Sequence, residues 1–134
     1  MAKVKNSEII AAVGRRKSSV CRVFLKSGSG KIVVNDHELK DYFPHETLIT
    51  DINQPLTVTD TVAKFDIKAN CTGGGFSGQA GAMRLAIARA LVKVSEDYKK
   101  VLRANGLLTV DSRVVERKKY GLRKARKDKQ FSKR

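Results

Sequence analysis

Glycines are concentrated in one segment, GGGFSGQAG (73–81), which lies between a predicted strand and the start of a predicted helix. The N–H groups and the dipole of a helix N-terminus can bind a phosphate there. However, the segment has no GxxxxGK[ST] or GxGxxG motif and no lysine to reach a terminal phosphate, which disfavours a nucleotide site. Two other interpretations stay open. In the first, an RNA backbone is contacted by Gly74, Gly75 and Gln79. In the second, the glycines only permit a tight turn and close backbone packing.

A run of cations forms the second candidate site. GRRK (14–17) places Arg15, Arg16 and Lys17 on a predicted connection between two strands. Three adjacent cations in an already basic chain favour phosphate contact, whereas the alternative is a solvated turn.

The most basic segment is RVVERKKYGLRKARKDKQFSKR (113–134), with 11 basic and two acidic side chains and a net charge of +9. Its few, scattered apolar residues cannot offset ordering entropy by burying one another, so it needs a partner to become ordered. Its arginines can hold phosphates bidentately, and Tyr120 and Phe131 can stack on bases. Extended, it reaches roughly 70 Å. The alternative is a tail that only improves solubility.

The composition of the whole chain also points to a polyanionic partner. Its 134 residues fit one domain and carry a net charge of +15. Residues 1–112 hold 17 basic and 11 acidic side chains, a net charge of +6. Nucleic acid is the first candidate partner. A membrane surface is disfavoured because no basic amphipathic helix with aromatic residues is present, and no apolar run suggests a membrane span or signal peptide.

No arrangement of residues typical of an enzyme is present. No serine lies in a GxSxG motif, and His37 beside Asp36 fits a solvated loop better than a catalytic base. Cys21 and Cys71 lack CxxC spacing, so we expect two reduced thiols in a cytosolic protein. We expect no catalysis, cofactor, metal or small-molecule substrate.

Hydrophobic periodicity predicts an α+β domain. Strands are expected at 9–13, 19–26, 31–34 and 64–70, with the first three in a meander. These strands form a four-stranded sheet that is packed on one face by helices and open on the other.

Helices are expected on both sides of the fourth strand. Before it, short helical stretches at 38–43 and 46–53 are punctuated by Pro44 and Pro55. After it, a helix with an N-cap at Ser95 ends at Asn105 and Gly106. The main amphipathic helix has one buried stripe, formed by Met83, Ala86, Ile87, Ala90, Leu91 and Val94.

Three ordered segments, VGRRKSSVCRV (13–23), GGGFSGQAGAMRLAIARAL (73–91) and DSRVVERKKYGLRKARKDKQFSKR (111–134), closely resemble the family of the ninth small-subunit ribosomal protein, of bacterial and organellar type. The resemblance covers almost the whole chain. It implies a fold like ribosomal protein S5 domain 2, with a four-stranded sheet, a left-handed crossover and an extended basic C-terminal tail. Sequence periodicity would not predict that handedness.

The resemblance also implies a structural role in the head of the small ribosomal subunit. A globular domain (1–112) would bind small-subunit rRNA and neighbouring ribosomal proteins, and a tail (113–134) would thread through RNA toward the peptidyl site. Ser132, Lys133 and Arg134 would approach the anticodon stem-loop of the bound tRNA. The tail residues expected to bind rRNA are Arg113, Arg117, Lys118, Lys119, Arg123, Lys124, Arg126, Lys127 and Lys129.

The expected location is ribosome-bound in the cytoplasm, with an organelle matrix or stroma also open. Two alternatives belong to other functional classes. One is a small-molecule phosphotransferase with a glycine-rich loop at a helix start, and the other is a free-standing RNA chaperone.

Overall fold

A computed structural model of the chain describes residues 9–109, which form an α+β fold with one mixed sheet and helices on one face. The predicted fold class is therefore confirmed. The strands are β1 (Ile10–Arg16), β2 (Ser19–Ser27), β3 (Ile32–Val34), β4 (His37–Glu38) and β5 (Phe65–Thr72). The helices are α1 (Leu39–Tyr42), α2 (Glu46–Val58), α3 (Phe76–Val94) and α4 (Asp97–Ala104).

The strands lie in the order β1-β2-β5-β3-β4, so the predicted meander of the first three strands is wrong. β5 separates β2 from β3. It pairs antiparallel with β2 over its full length, from Phe65 to Thr72, whereas β3 has only three residues to offer. The longer ladder makes more backbone hydrogen bonds and buries every second residue of β5, which outweighs the proximity of β2 and β3 in sequence.

β3 and β5 run parallel, which requires a crossover connection between them. That connection contains β4, α1 and α2, and its handedness stays a prediction. The described sheet has five strands rather than the four predicted, because the two-residue β4 pairs with β3 after a turn at Asn35 and Asp36. Both turn residues have positive φ, 49° and 66°, a conformation that Asn and Asp tolerate better than most residues.

The core lies between the sheet and α3. The predicted alternation in β2 is confirmed, with Cys21, Val23 and Leu25 fully buried. All six residues of the predicted stripe on α3 are buried too, but α3 is buried beyond one stripe, since Ala82, Leu85 and Ala88 are also buried. Alanines predominate on α3, which brings its backbone close to β1. At Gly14 the approach is so close that a Cβ atom would collide with the backbone oxygen of Ala82.

Two helices differ from the prediction in their bounds. α2 continues through the buried Pro55, where tertiary packing compensates for the backbone N–H that proline lacks. α3 begins at Phe76, ahead of the predicted stripe, and therefore includes part of the glycine segment. The predicted stop after α4 is confirmed, since Gly106 follows the helix with a φ of 70°.

Candidate nucleic-acid interface

The turn between β1 and β2 meets the N-terminus of α3. β1 continues through Arg16, so the turn consists of Lys17 and Ser18, and the prediction that 14–17 is a connection is wrong. Lys17 has a φ of 54°, and the buried Ser19 hydroxyl donates to the Gly73 carbonyl (3.0 Å). This hydrogen bond ties the hairpin to the glycine segment.

A concave site of about 390 Å³ lies between these two segments. We call it the phosphate cradle, because its walls carry backbone N–H groups, hydroxyls and one ammonium group. The lining includes Lys17, Ser18, Gly74, Gly75, Ser77 and Gly78.

The electrostatics of the cradle favour an anion. The first N–H groups of α3, beginning with Phe76, Ser77 and Gly78, have no acceptor within the helix, and no side chain caps it at Gly75. A helix of this length adds a partial positive charge at the same end. Lys17 supplies a full charge on the opposite wall. A phosphate can therefore accept hydrogen bonds from the N–H groups of the helix and form an ion pair with the lysine.

The glycines of the segment serve two different purposes. Gly73 and Gly74 have positive φ values of 74° and 61°, and a Cβ at either would collide with the Ser18–Ser19 segment, so both are required by packing. Gly75 is different. Its φ is an ordinary −105°, and nothing lies within 4 Å of the position that a Cβ would occupy. The fold does not need glycine at position 75, but a ligand that approaches the helix closely would.

Gln79 has an internal role that the sequence did not indicate. Its side chain is only 8% exposed. The amide nitrogen donates to the Gly73 carbonyl (3.1 Å), and the amide oxygen accepts from the Tyr42 hydroxyl (2.5 Å). We therefore assign Gln79 to positioning the glycine segment rather than to binding RNA.

Strand geometry separates two of the cations that the sequence groups together. Arg15 is exposed on the side of the sheet away from the helices, whereas Arg16 lies on the helix side. The Arg16 guanidinium is 3.5 Å from the Ser77 carbonyl, and its side chain packs beside Gly81 in α3. Arg16 and Lys17 thus border the cradle, and Arg15 belongs to another surface.

Phe76 is a candidate contact that the sequence reasoning missed. It is the first residue of α3, remains 46% exposed, and packs edge-on against Tyr42 with ring centroids 5.7 Å apart. An exposed aromatic ring at the rim of an anion site is placed to stack on a base. The signal was the aromatic residue inside the glycine segment.

Not every cation is available for a partner. The Arg89 guanidinium donates to the Val13 carbonyl (2.7 Å), and the Lys93 ammonium donates to the Ala11 carbonyl (2.6 Å). Both carbonyls lie on β1, one of the two edge strands of the described sheet. These side chains cover backbone groups that would otherwise attract another strand.

The remaining candidate groups do not form a reactive site in the part of the chain that the structure describes. His37 and Asp36 are exposed, and no group of three or more His, Cys, Asp or Glu residues there could hold a metal ion. Cys21 and Cys71 are buried free thiols on paired strands, with their sulfurs 2.8 Å apart. The hydrogen bond with Cys71 and burial raise the pKa of Cys21, so this thiol stays protonated.

The tail residues predicted to contact RNA, all within 113–134, lie outside the described residues. They include the three expected at tRNA, Ser132, Lys133 and Arg134. Within residues 9–109, no helix is long and apolar enough to cross a membrane.

Comparison with known proteins extends the sequence evidence over most of the chain. The model of the family described as "Ribosomal protein S9/S16" matches residues 14–134. A small ribosomal subunit protein uS9 from Gemmatimonas aurantiaca is 61% identical over 128 residues, which cover 96% of this chain and 99% of that protein. Proteins of the same name from Porphyromonas gingivalis (58%; 95% of this chain, 99% of that protein) and Mesomycoplasma hyopneumoniae (58%; 90% and 92%) are similar at comparable length.

Proposed function

The chain belongs to the ribosomal protein S9/S16 family, and on this basis we propose that its cradle and basic tail bind small-subunit rRNA while the tail tip contacts peptidyl-site tRNA. As a small-subunit ribosomal protein, it is a structural constituent of the ribosome that associates with rRNA and other ribosomal proteins. Membership also makes the alternative of a phosphotransferase wrong, since the family is not one of enzymes.

The observation that carries the rRNA proposal is the uncapped start of α3 at Gly75, with open space beside it and Lys17 on the opposite wall. A backbone phosphate of the rRNA occupies this space. It accepts hydrogen bonds from the N–H groups in the first turn of α3 and forms an ion pair with the Lys17 ammonium. Gly74 lines the cradle and Arg16 contacts the Ser77 carbonyl beside it, and the sequence led us to expect RNA contacts from both. Because these contacts go to phosphate, they position the protein on RNA and read no base sequence.

The tail continues this attachment through charge. Its net charge of +9 over 113–134 is higher than that of all residues before it, and its arginines suit bidentate phosphate contacts. With on the order of ten cations on phosphates, its contribution falls steeply as salt rises. Residues 113–129 anchor the tail in rRNA, and the division into a domain (1–112) and a tail (113–134) follows from this role.

The tip of the tail contacts tRNA in this proposal. The family match continues through residue 134, so Ser132, Lys133 and Arg134 fall within it. Lys133 and Arg134 donate charge-assisted hydrogen bonds to anticodon stem-loop phosphates, each worth about 1.5–3 kcal/mol before ordering costs. Phosphate contacts hold all tRNAs alike.

The test compares ribosomes that carry Lys133→Gln with Arg134→Gln against a matched control, Lys99→Gln with Lys100→Gln on the exposed side of α4. Both pairs remove two positive charges. We expect the tip variant to assemble into subunits normally and to bind peptidyl-site tRNA at least about tenfold more weakly, while the control binds as the unmodified ribosome does. Equal tRNA affinity in the tip variant would refute the tRNA contact.

A further inference from the structure

The side of the sheet opposite the helices is left uncovered by the described residues. α3 packs on β1 and β2 from one side, and the alternation of the strands directs every second residue to the other. We call this second side the open face. Its side chains come from β1, β2, β5 and β3, and it includes Arg15, the cation that strand geometry separates from the cradle.

Phe24 lies at the centre of the open face. The strand register pairs it with Ala11 of β1 and with Lys68 of β5, and Lys68 is paired in turn with Val33 of β3. The ring is only half-buried, and the small side chain of Ala11 leaves it accessible from one flank. A large aromatic ring held in the middle of a sheet offers a flat stacking surface.

Exposed cations lie beside this ring on β2 and β5. Arg22 and Lys26 lie two residues before and after Phe24 on β2, and therefore on the same face, while Lys68 is its neighbour on β5. A groove of about 620 Å³ passes Phe24, Lys26 and Lys68, and Lys31 lines its wall. The groove thus combines an aromatic ring with three ammonium groups.

Two carboxylates, Asp36 and Asp66, also line the groove. Asp66 is engaged within the protein, since its Oδ1 accepts the backbone N–H groups of Ser29 (3.0 Å), Gly30 (3.1 Å) and Lys31 (3.0 Å). The surface as a whole stays positive because Arg15 and Arg22 add to the three lysines of the groove. An exposed ring among cations is the arrangement that binds single-stranded nucleic acid, with bases on the ring and phosphates on the cations.

We propose that the open face is a second RNA-binding surface, which holds an unpaired stretch of RNA with one base stacked on Phe24 and the adjoining phosphates on Arg22, Lys26 and Lys68. The inference rests on the proposed RNA-binding function and adds a site distinct from the cradle. Charge complementarity identifies the occupant. RNA neutralises this surface, whereas the chain's own tail, at +9, would be repelled by it.

The test needs a local signal, because the tail also binds RNA. The chain has no tryptophan, so Phe24→Trp introduces a single reporter at the proposed stacking position. Titration of this full-length variant with a short oligouridine should quench its emission to a plateau. In the same background, Lys26→Gln with Lys68→Gln should weaken the quenching transition and reduce its salt slope by about two. Lys99→Gln with Lys100→Gln is the matched control and should change neither.

A second measurement uses small-subunit rRNA. Phe24→Leu should weaken RNA binding about five- to hundredfold, as expected for loss of a stacked base. Phe24→Tyr keeps an aromatic ring at this position and should bind RNA as the unmodified protein does. Unchanged tryptophan emission at oligouridine concentrations that saturate the protein would overturn the proposal. So would a Phe24→Leu variant that binds RNA normally but fails to join small subunits, since the open face would then contact another protein.

The cradle proposal and the open-face proposal can be refuted independently of each other. Gly75→Asp should leave the quenching at position 24 intact, because the cradle lies at the turn between β1 and β2, whereas position 24 lies in the middle of the sheet on the side away from α3. If Gly75→Asp weakens rRNA binding and Phe24→Leu does not, the cradle stands and the open-face proposal falls. The reverse pattern would remove the cradle and keep the open face.

Discussion

Replacing Gly75 with aspartate should stabilise the domain while weakening its binding to RNA. Position 75 is the N-cap of α3, has extended backbone angles, and has no atom within 4 Å of the point where a Cβ would lie. The carboxylate of an aspartate there can accept a hydrogen bond from the backbone N–H of Ser77 or Gly78 in the first turn. Relative to glycine, such a cap adds a few tenths of a kcal/mol, and its charge at the positive end of the helix adds about 0.3–1 kcal/mol.

The effect on RNA has the opposite sign. The carboxylate introduced by Gly75→Asp would occupy the space proposed for a phosphate and repel it. Two unit charges at about 5 Å with an effective dielectric constant of about 20 interact by roughly 3 kcal/mol, about a hundredfold in affinity. Solvent screening at this open site reduces the effect, so we expect a loss of about ten- to hundredfold.

The measurement is binding of full-length protein to small-subunit rRNA, with thermal unfolding recorded in parallel. Two controls isolate the cause. Gly75→Asn has nearly the same shape and caps the helix without a charge, so it should gain the cap but not the additional gain of about 0.3–1 kcal/mol from the charge, and it should lose less affinity. Lys100→Gln on α4 changes the net charge by the same amount at the far end of α3 and should leave binding nearly unchanged. If Gly75→Asp bound rRNA as tightly as the unmodified protein, no phosphate would lie at α3, and the reasoning would be refuted.

Three further predictions concern the domain itself. Gly14→Ala should lower the free energy of unfolding by about 1–3 kcal/mol, because the added methyl would collide with the backbone of α3. Gly75→Ser, where space is open, should not lower it. Equal stability of the two variants would contradict the close packing at Gly14. Asp66→Ala should destabilise the protein at neutral pH. The hydrogen bond from the Lys31 N–H, together with those from Ser29 and Gly30, holds the pKa of Asp66 below its usual value. The difference in unfolding free energy between Asp66→Ala and the unmodified protein should therefore shrink as pH falls below about 4. A difference that stays constant through acid unfolding would contradict this. Cys21 and Cys71 should react with a thiol reagent only after unfolding, and rapid labelling of the native protein would show that they are accessible.

The sequence predicted those parts of the fold that depend on local periodicity. The alternation of β2 and β5 and the stripe on α3 each identified a buried face, because periods of 2.0 and 3.6 are set by backbone geometry alone. The strand order was not predictable in this way. β5 displaced β3 from β2 through a long antiparallel ladder, and such a preference depends on pairing between segments that are distant in sequence.

The candidate site was predicted in composition but not in detail. The glycine segment does meet Arg16 and Lys17 in space, although Arg15 lies on the other side of the sheet. The sequence also placed Gly75 and Gln79 in one class. Only the structure separates them, because Gln79 turns inward to Tyr42 and Gly73, while Gly75 adjoins open space. The open face was recognised as available, yet its central Phe24 was not, since its neighbour Lys68 comes from β5, a strand far away in the chain.

The most direct test of RNA binding at the cradle is cleavage of rRNA from a tethered radical source in reconstituted small subunits. Ser77→Cys places a single accessible thiol in the cradle, since the two native thiols are buried. A tethered iron chelate at position 77 should cut the rRNA strongly at one short stretch of backbone, while the same chelate at Lys100→Cys on α4 should not cut that stretch. Absence of cleavage from position 77 in fully assembled subunits would contradict the account.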